Sequence, residues 1–305
     1  MFEFYFSILT IYAFIAGGVL LKKIFKEKID TQSVALLTVY FFQPMLVFWG
    51  LSSTQLGMNV FNLGIVYFIS VAVLAIIFVG LGKFFIRDPK IRSIFIFSGT
   101  SGNTGNLGIP LGLTIFGPTS LIYTTMINFA NVFWSFIFGV YFYSRGKFSI
   151  PQSIKNIFKM PILWVGGVAI ILNFLNISMN PKIEAFIEIG GHASIAIQLF
   201  LFGLFLAEVK VKHFSLGINL WGVVSKFVFL PLVGLFFLKI SVGYLPFSQF
   251  EQKLLLMQCL MPLAVNNINL ASLYDCKHKI VTQQVFFSTI VFLVLAPIVF
   301  YFFIF

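Results

Sequence analysis

Runs of uninterrupted apolar side chains, roughly 18 to 24 residues each, recur along the whole sequence, and that is the length a helix needs to cross a hydrocarbon layer of about 30 Å. Strands can also span a membrane, but they read as segments of about ten residues alternating apolar and polar. These runs do not alternate. A soluble core cannot hide them either: of 305 residues 59% are hydrophobic and only 10% charged, against about a quarter charged in an average soluble domain. The mean hydropathy is +1.01. The expected fold class is an all-α polytopic membrane protein.

Cutting at charged and turn-forming clusters predicts ten transmembrane helices, near 4–22, 34–53, 60–82, 93–116, 119–143, 160–178, 183–207, 214–240, 252–273 and 281–304. The first run carries Glu3 and has neither a basic leading segment nor a small-residue cleavage site, so it is read as a retained helix, not a signal peptide. The net charge of +11 reflects orientation and not nucleic-acid binding, because the cations are scattered through short loops. Sixteen of the twenty Lys and Arg residues fall in alternate loops, among them Lys22, Lys83, Arg145, Lys147, Lys155, Lys159, Lys210, Lys212 and Lys277. The intervening loops hold Lys182, Lys239 and Lys253, and Lys226 lies inside a span. The positive-inside rule then places both termini outside the cell membrane.

The longest basic loop, Ser144 to Lys159, divides the chain into two sets of five spans, 1–148 and 149–305. An odd number per set gives the halves opposite orientations, the arrangement of an inverted repeat, with which many transporters build one site at mid-membrane. Ala16-Gly17-Gly18-Val19 in span one resembles Val165-Gly166-Gly167-Val168 in span six, as related halves should.

Two spans carry helix-breaking residues at mid-depth. Span four contains Gly99, Gly102, Asn103, Gly105, Asn106, Gly108 and Pro110; span nine contains Pro262, Asn266, Asn267 and Asn269. Glycine and proline free backbone groups that lipid cannot satisfy, so such stretches face protein or water. Paired interruptions in corresponding spans point to a transport site. Half-helix N-termini offer free N–H groups and partial positive charge, and asparagine amides add donors beside them, which together suit a carboxylate. The same glycines also suit close helix packing.

The run Asn103-Thr104-Gly105-Asn106-Leu107-Gly108-Ile109-Pro110, with Phe42-Gln43-Pro44, Leu230-Pro231 after Lys226, Met261-Pro262 with Asn266, and Phe287-Ser288-Thr289, resembles the auxin efflux carriers and their bacterial permease relatives, within the wider bile acid sodium symporter superfamily. The resemblance implies spans four and nine crossing at their proline breaks beside the substrate. It implies a moving transport domain of spans three to five and eight to ten, a dimerising scaffold of spans one, two, six and seven, and elevator-like alternating access. The sequence departs from that pattern at Gln198, where many relatives have proline, and in span three, where Lys83 stands as the only charge in place of the plant carriers' buried acid.

Other intramembrane polar groups have more than one use. Lys226 either neutralises a substrate anion, supports the crossover as a built-in cation, or snorkels to an interface. Asn128 and Asn131, one turn apart, share a face and either line the site or bond a neighbouring helix. Ser288 and Thr289 line the site or bond back to their own helix. Glu184, Glu188 and His192 share a face near a helix end, read as solvated in preference to a proton relay or metal site. Cys259 and Cys276 form no disulfide framework or metal motif, and the 42 phenylalanines are read as lipid-facing filler.

The expected function is a secondary transporter of a small organic anion, a malate-like or auxin-like carboxylate, without cofactor or metal. A sodium-coupled bile-acid-type symporter is the alternative within the same class. A membrane-embedded enzyme needs a catalytic constellation, and none of the usual His, Asp or Ser motifs occurs. A channel needs a continuous polar lining, which two short polar clusters do not supply.

Overall fold

The computed structural model describes residues 2–52, 55–144, 158, 160–208, 215–241 and 243–301. The dividing loop from 145 to 157 and the segment 209–214 lie outside the described residues, and with them Arg145, Lys147, Lys155, Lys159, Lys210 and Lys212; so does the side chain of Asn269. Among the described residues the chain is helical, without strands. In chain order the helices are α1 (Phe2–Phe25), α2 (Thr31–Ser52), α3 (Met58–Phe85), α4 (Pro89–Phe97), α5 (Ile109–Phe116), α6 (Ser120–Tyr143), α7 (Pro161–Phe174), α8 (Pro181–Glu208), α9 (Leu216–Ser241), α10 (Gln249–Cys259), α11 (Asn266–Leu273) and α12 (His278–Val299). Six of them, α2, α3, α6, α8, α9 and α12, are long and apolar enough to cross a membrane.

Local chemistry sets the helix ends. Asp30 caps α2 by accepting from the backbone N–H groups of Gln32 and Ser33, and Asp88 caps α4 through Lys90 and Ile91, with Pro89 in the first turn where its missing N–H is not needed. Ser248 and Glu251 form a reciprocal capping box at the start of α10. Wide π turns at Thr38–Phe42 within α2, at Thr104–Gly108 leading into α5 and at Ser225–Phe229 within α9 each stand two residues before a proline: Pro44, Pro110 and Pro231. A proline ring clashes with the carbonyl four residues earlier and donates nothing to it, and a widened turn relieves both problems.

Two groups of helices emerge from the packing. In one, α1 lies along α8, and α2 packs on both α7 and α8. In the other, α3 packs on α4, α6 and α9, α10 on α6 and α9, and α12 on α9 and α11. The groups meet where α2 crosses α6, α1 crosses α5, and α8 touches the π turn at 104–108. The α1–α8 crossing is a backbone contact: a Cβ on Gly18 would run into the Phe200 carbonyl oxygen, and one on Gly203 into that of Ile15.

The phenylalanines divide between two environments. Phe78, Phe97, Phe202 and Phe300 are fully buried in the core, whereas Phe84, Phe85, Phe186 and Phe236 are exposed, so the reading of all 42 as lipid-facing filler is corrected. The aromatic core is dense, with Phe95 stacked on Trp221 at 4.0 Å and Trp134 on Phe138 at 4.4 Å.

Candidate functional site

The helix that begins as α4 continues through a 3₁₀ turn to Thr100, opens into extended backbone, and resumes at the π turn Thr104–Gly108 leading into α5. On the other side α10 stops at Cys259 and α11 begins at Asn266. The two openings bond to each other. Gly102 and Leu263 form an antiparallel β-bridge: the Asn103 N–H donates to the Pro262 carbonyl at 2.8 Å, and the Ala264 N–H to the Ser101 carbonyl at 3.1 Å. Backbone groups that lipid would leave unpaired therefore satisfy one another across the crossing.

Side chains from α6 and α12 secure it. The Asn131 amide clasps Gly102, its Nδ2 donating to the Gly102 carbonyl at 2.8 Å and its Oδ1 accepting from the Gly102 N–H at 3.3 Å and from the Tyr67 hydroxyl at 3.1 Å. Asn128 Oδ1 accepts from the Thr104 hydroxyl at 2.9 Å, Ser135 bonds Ser101 at 2.8 Å, and Trp134 donates to the Thr100 hydroxyl at 3.0 Å. From α12 the Ser288 hydroxyl accepts the Leu263 N–H at 3.2 Å. Thr289 does not reach the crossing; its hydroxyl bonds back to Val285.

Two chemically different features adjoin the crossing. Lys226 is fully buried and its Nζ has no hydrogen-bond partner among the described residues. A Cβ on Gly102 would lie 2.5 Å from that Nζ and 3.4 Å from the Tyr67 hydroxyl, so the ammonium presses against the opened backbone instead of snorkelling. The ends of α4 and α10 turn toward the crossing, and helix C-termini carry partial negative charge that a buried cation offsets.

Beside the crossing a cavity of about 20 Å³ is lined by Gln43, Gly102, Asn103, Gly105, Asn106, Asn128, Asn131 and Asn266, among others. No side chain caps the π turn beginning after Asn103 or α11 beginning after Val265. Because Thr104 donates to Asn128 Oδ1, the Asn128 Nδ2 is a donor, and both it and the Asn103 Nδ2 are buried without partners among the described residues. Uncapped helix starts and spare amide donors leave this lining rich in hydrogen-bond donors. The space holds about one water. It adjoins, through the shared Phe136 and Asn266, a mostly apolar cavity of about 320 Å³ between α2, α6 and α11.

Of the residues expected at the site, Asn103, Gly105, Asn106, Asn131 and Asn266 line the cavity. Gly108 packs on the Gln258 amide, Pro110 sits in the first turn of α5, the Pro262 carbonyl serves the bridge, and Asn267 is buried with its amide unpartnered among the described residues. Tyr67, Gln258, Ser135 and Phe136 were not expected; Gln258, a lone amide in an apolar run, was the one with a visible signal. His192 stands 3.6 Å from Glu188, both well exposed, and its ring lies tilted against Trp49 at 4.6 Å. Gln198 donates to Ser194 within α8 at 2.7 Å, and Cys259 and Cys276 are buried and form no disulfide, the Cys276 thiol lying 3.6 Å from the Lys90 carbonyl oxygen.

A family model described as membrane transport protein matches the sequence twice, over residues 4–157 and 148–300. An uncharacterized transporter of Methanocaldococcus jannaschii is similar, with 27% identity over 265 residues that cover 83% of each chain. Both descriptions are of transporters.

Proposed function

We propose, because this chain belongs to the auxin efflux carrier-like family of membrane transport proteins, that it is a secondary transporter moving a small organic anion, a carboxylate of malate-like or auxin-like size, across the cell membrane. The observation that carries the reading is the backbone bridge between residues 101–103 and 262–264, with two uncapped helix starts and spare asparagine donors beside it. Asn103, Asn106, Asn128 and Asn266 would receive the carboxylate, Asn131 and Ser288 would hold the crossing, and Lys226 would balance it.

With α4–α5 and α10–α11 each taken as one broken span, the twelve helices among the described residues reduce to ten, and two matches of one family model to successive halves favour a repeat. Five spans per half makes that repeat inverted. The packing supports a scaffold of α1, α2, α7 and α8 and a transport domain of the remaining helices. The cavity of about 320 Å³ lies between those groups, where sliding of one against the other would open the water-sized space to a solute. The scaffold is also the proposed homodimer face, and both termini are extracytoplasmic in this scheme.

Uptake of radiolabelled small carboxylates into proteoliposomes tests the reading. Asn106→Ala and Asn266→Ala, both on the cavity wall, are each expected to cut uptake by at least about tenfold, the loss of roughly 1.4 kcal/mol of binding. Undiminished uptake in both variants, or none of any carboxylate by the wild type, would remove the proposed site.

A further inference from the structure

The last turn of α3 and the start of α4 form a second polar feature, away from the crossing. α3 is 28 residues long, about 42 Å of helix, which exceeds the hydrocarbon thickness of about 30 Å. Its final turn, with Lys83, therefore reaches headgroup depth. Phe84 and Phe85 beside it stay 87% and 77% exposed. Between this turn, the start of α4 and the end of α6 lies a cavity of about 270 Å³, lined by Lys83 and Arg92 with Val79, Ile96, Tyr141 and Phe142.

The cations in this pocket lack anions of their own. The nearby acids are already engaged: Asp88 pairs with Lys277 and Asp275 with Lys90, each at 2.6 Å. Lys83 and Arg92 make no ion pair among the described residues. Two cations therefore face a concave space whose other walls, apart from Ser93, are aliphatic and aromatic, at the depth where lipid phosphates lie.

We propose that this pocket binds the phosphate of an anionic glycerophospholipid, with Lys83 and Arg92 as its ionic partners and the Val79, Ile96 and Phe142 wall against the first carbons of its chains. A guanidinium can bind two phosphate oxygens at once, and basic groups near the membrane surface favour anionic headgroups. The volume falls short of the 300 Å³ or so that encloses a whole drug-sized ligand, so it accommodates a headgroup with its tails outside. Inorganic phosphate has the same charge but gains nothing from the apolar wall.

The full-length protein in neutral detergent is titrated with phosphatidylglycerol, with phosphatidylcholine of the same chains, and with inorganic phosphate. Melting temperature and bound lipid by native mass spectrometry are read. Phosphatidylglycerol alone is expected to raise the melting temperature and remain bound. Lys83→Gln and Arg92→Gln should each weaken it about fivefold, and about thirtyfold together. Lys83→Arg retains binding and Arg87→Gln, outside the pocket, leaves it unchanged, so loss of charge is separated from loss of fold. An equal response to phosphatidylcholine, or an unchanged midpoint in the double variant, overturns the site; an equal shift with inorganic phosphate overturns the lipid as its occupant.

Discussion

Asn131 holds the opened backbone at Gly102 through both atoms of its amide. Asn131→Ala leaves a buried N–H and a buried C=O unpaired, at about 1–3 kcal/mol each, and is expected to lower the melting temperature markedly; a variant as stable as the wild type would show that the clasp is dispensable. Gly102 and Lys226 form a second test, because a Cβ at 102 meets the ammonium at 2.5 Å. Gly102→Ala should cost about 1–3 kcal/mol through overpacking and distinctly less in a Lys226→Ala background, a coupling of about 1 kcal/mol or more in a double-mutant cycle. Additive effects would mean the lysine moves aside freely. The importance of Lys226 and of the Asn128–Asn131 pair is legible in the sequence, because a charge and two amides stand out in apolar helices. Tyr67 carries no such mark: tyrosines are ordinary in spans, and only its hydroxyl's position against Asn131 gives it a role.

Helix ends and crossings obey local rules that variants can probe. Asp88 caps α4 and also ties it to α12 through Lys277, whose hydrogen bond, helped by the Ile91 and Lys90 N–H groups, holds the Asp88 carboxyl below its usual range. A carboxyl lowered on folding stabilises the fold above its unfolded value of about 4, and the contribution drains away as pH falls through the lower folded value. Both partners are more than a third exposed, so the effect is under about 1 kcal/mol. Acid titration of the melting temperature below about pH 4 should therefore fall slightly less steeply for Asp88→Asn, whose amide still caps the helix; identical profiles would place the acid sensitivity elsewhere. At the α1–α8 crossing, Gly18→Leu is expected to abolish folded protein, while Gly17→Leu, with nothing within 4 Å of its Cβ position, is tolerated. Equal yields of the two would mean that α1 docks loosely. Prolines and glycines mark in the sequence where helices widen or open. They do not say that the opening at 101–103 bonds the one at 262–264, because backbone N–H and C=O groups are the same in every residue.

Across the whole molecule, the two helix groups meet at α2 and α6, where a Cβ on Gly50 would lie 3.0 Å from that of Thr125, about half an ångström inside the shortest disulfide separation of about 3.5 Å, so a small parting of the two helices accommodates the link. Gly50→Cys with Thr125→Cys, oxidised, is expected to stop the proposed carboxylate uptake and to recover it on reduction, because the proposed mechanism has the groups slide. Cys259 and Cys276 are buried and do not compete for the link. Full uptake by the oxidised protein would exclude relative motion at that crossing. Hydropathy, the positions of prolines and glycines, and the alternation of basic loops were sufficient to establish a membrane-spanning helical chain with openings in two helices, because the cost of exposing polar backbone to lipid acts on each segment separately. Which opening pairs with which, that Lys226 and the spare asparagine donors both adjoin the crossing, and that Lys83 and Arg92 share a pocket are products of tertiary packing. Those contacts join residues far apart in the chain, and helix packing among apolar side chains is too permissive for composition alone to select them.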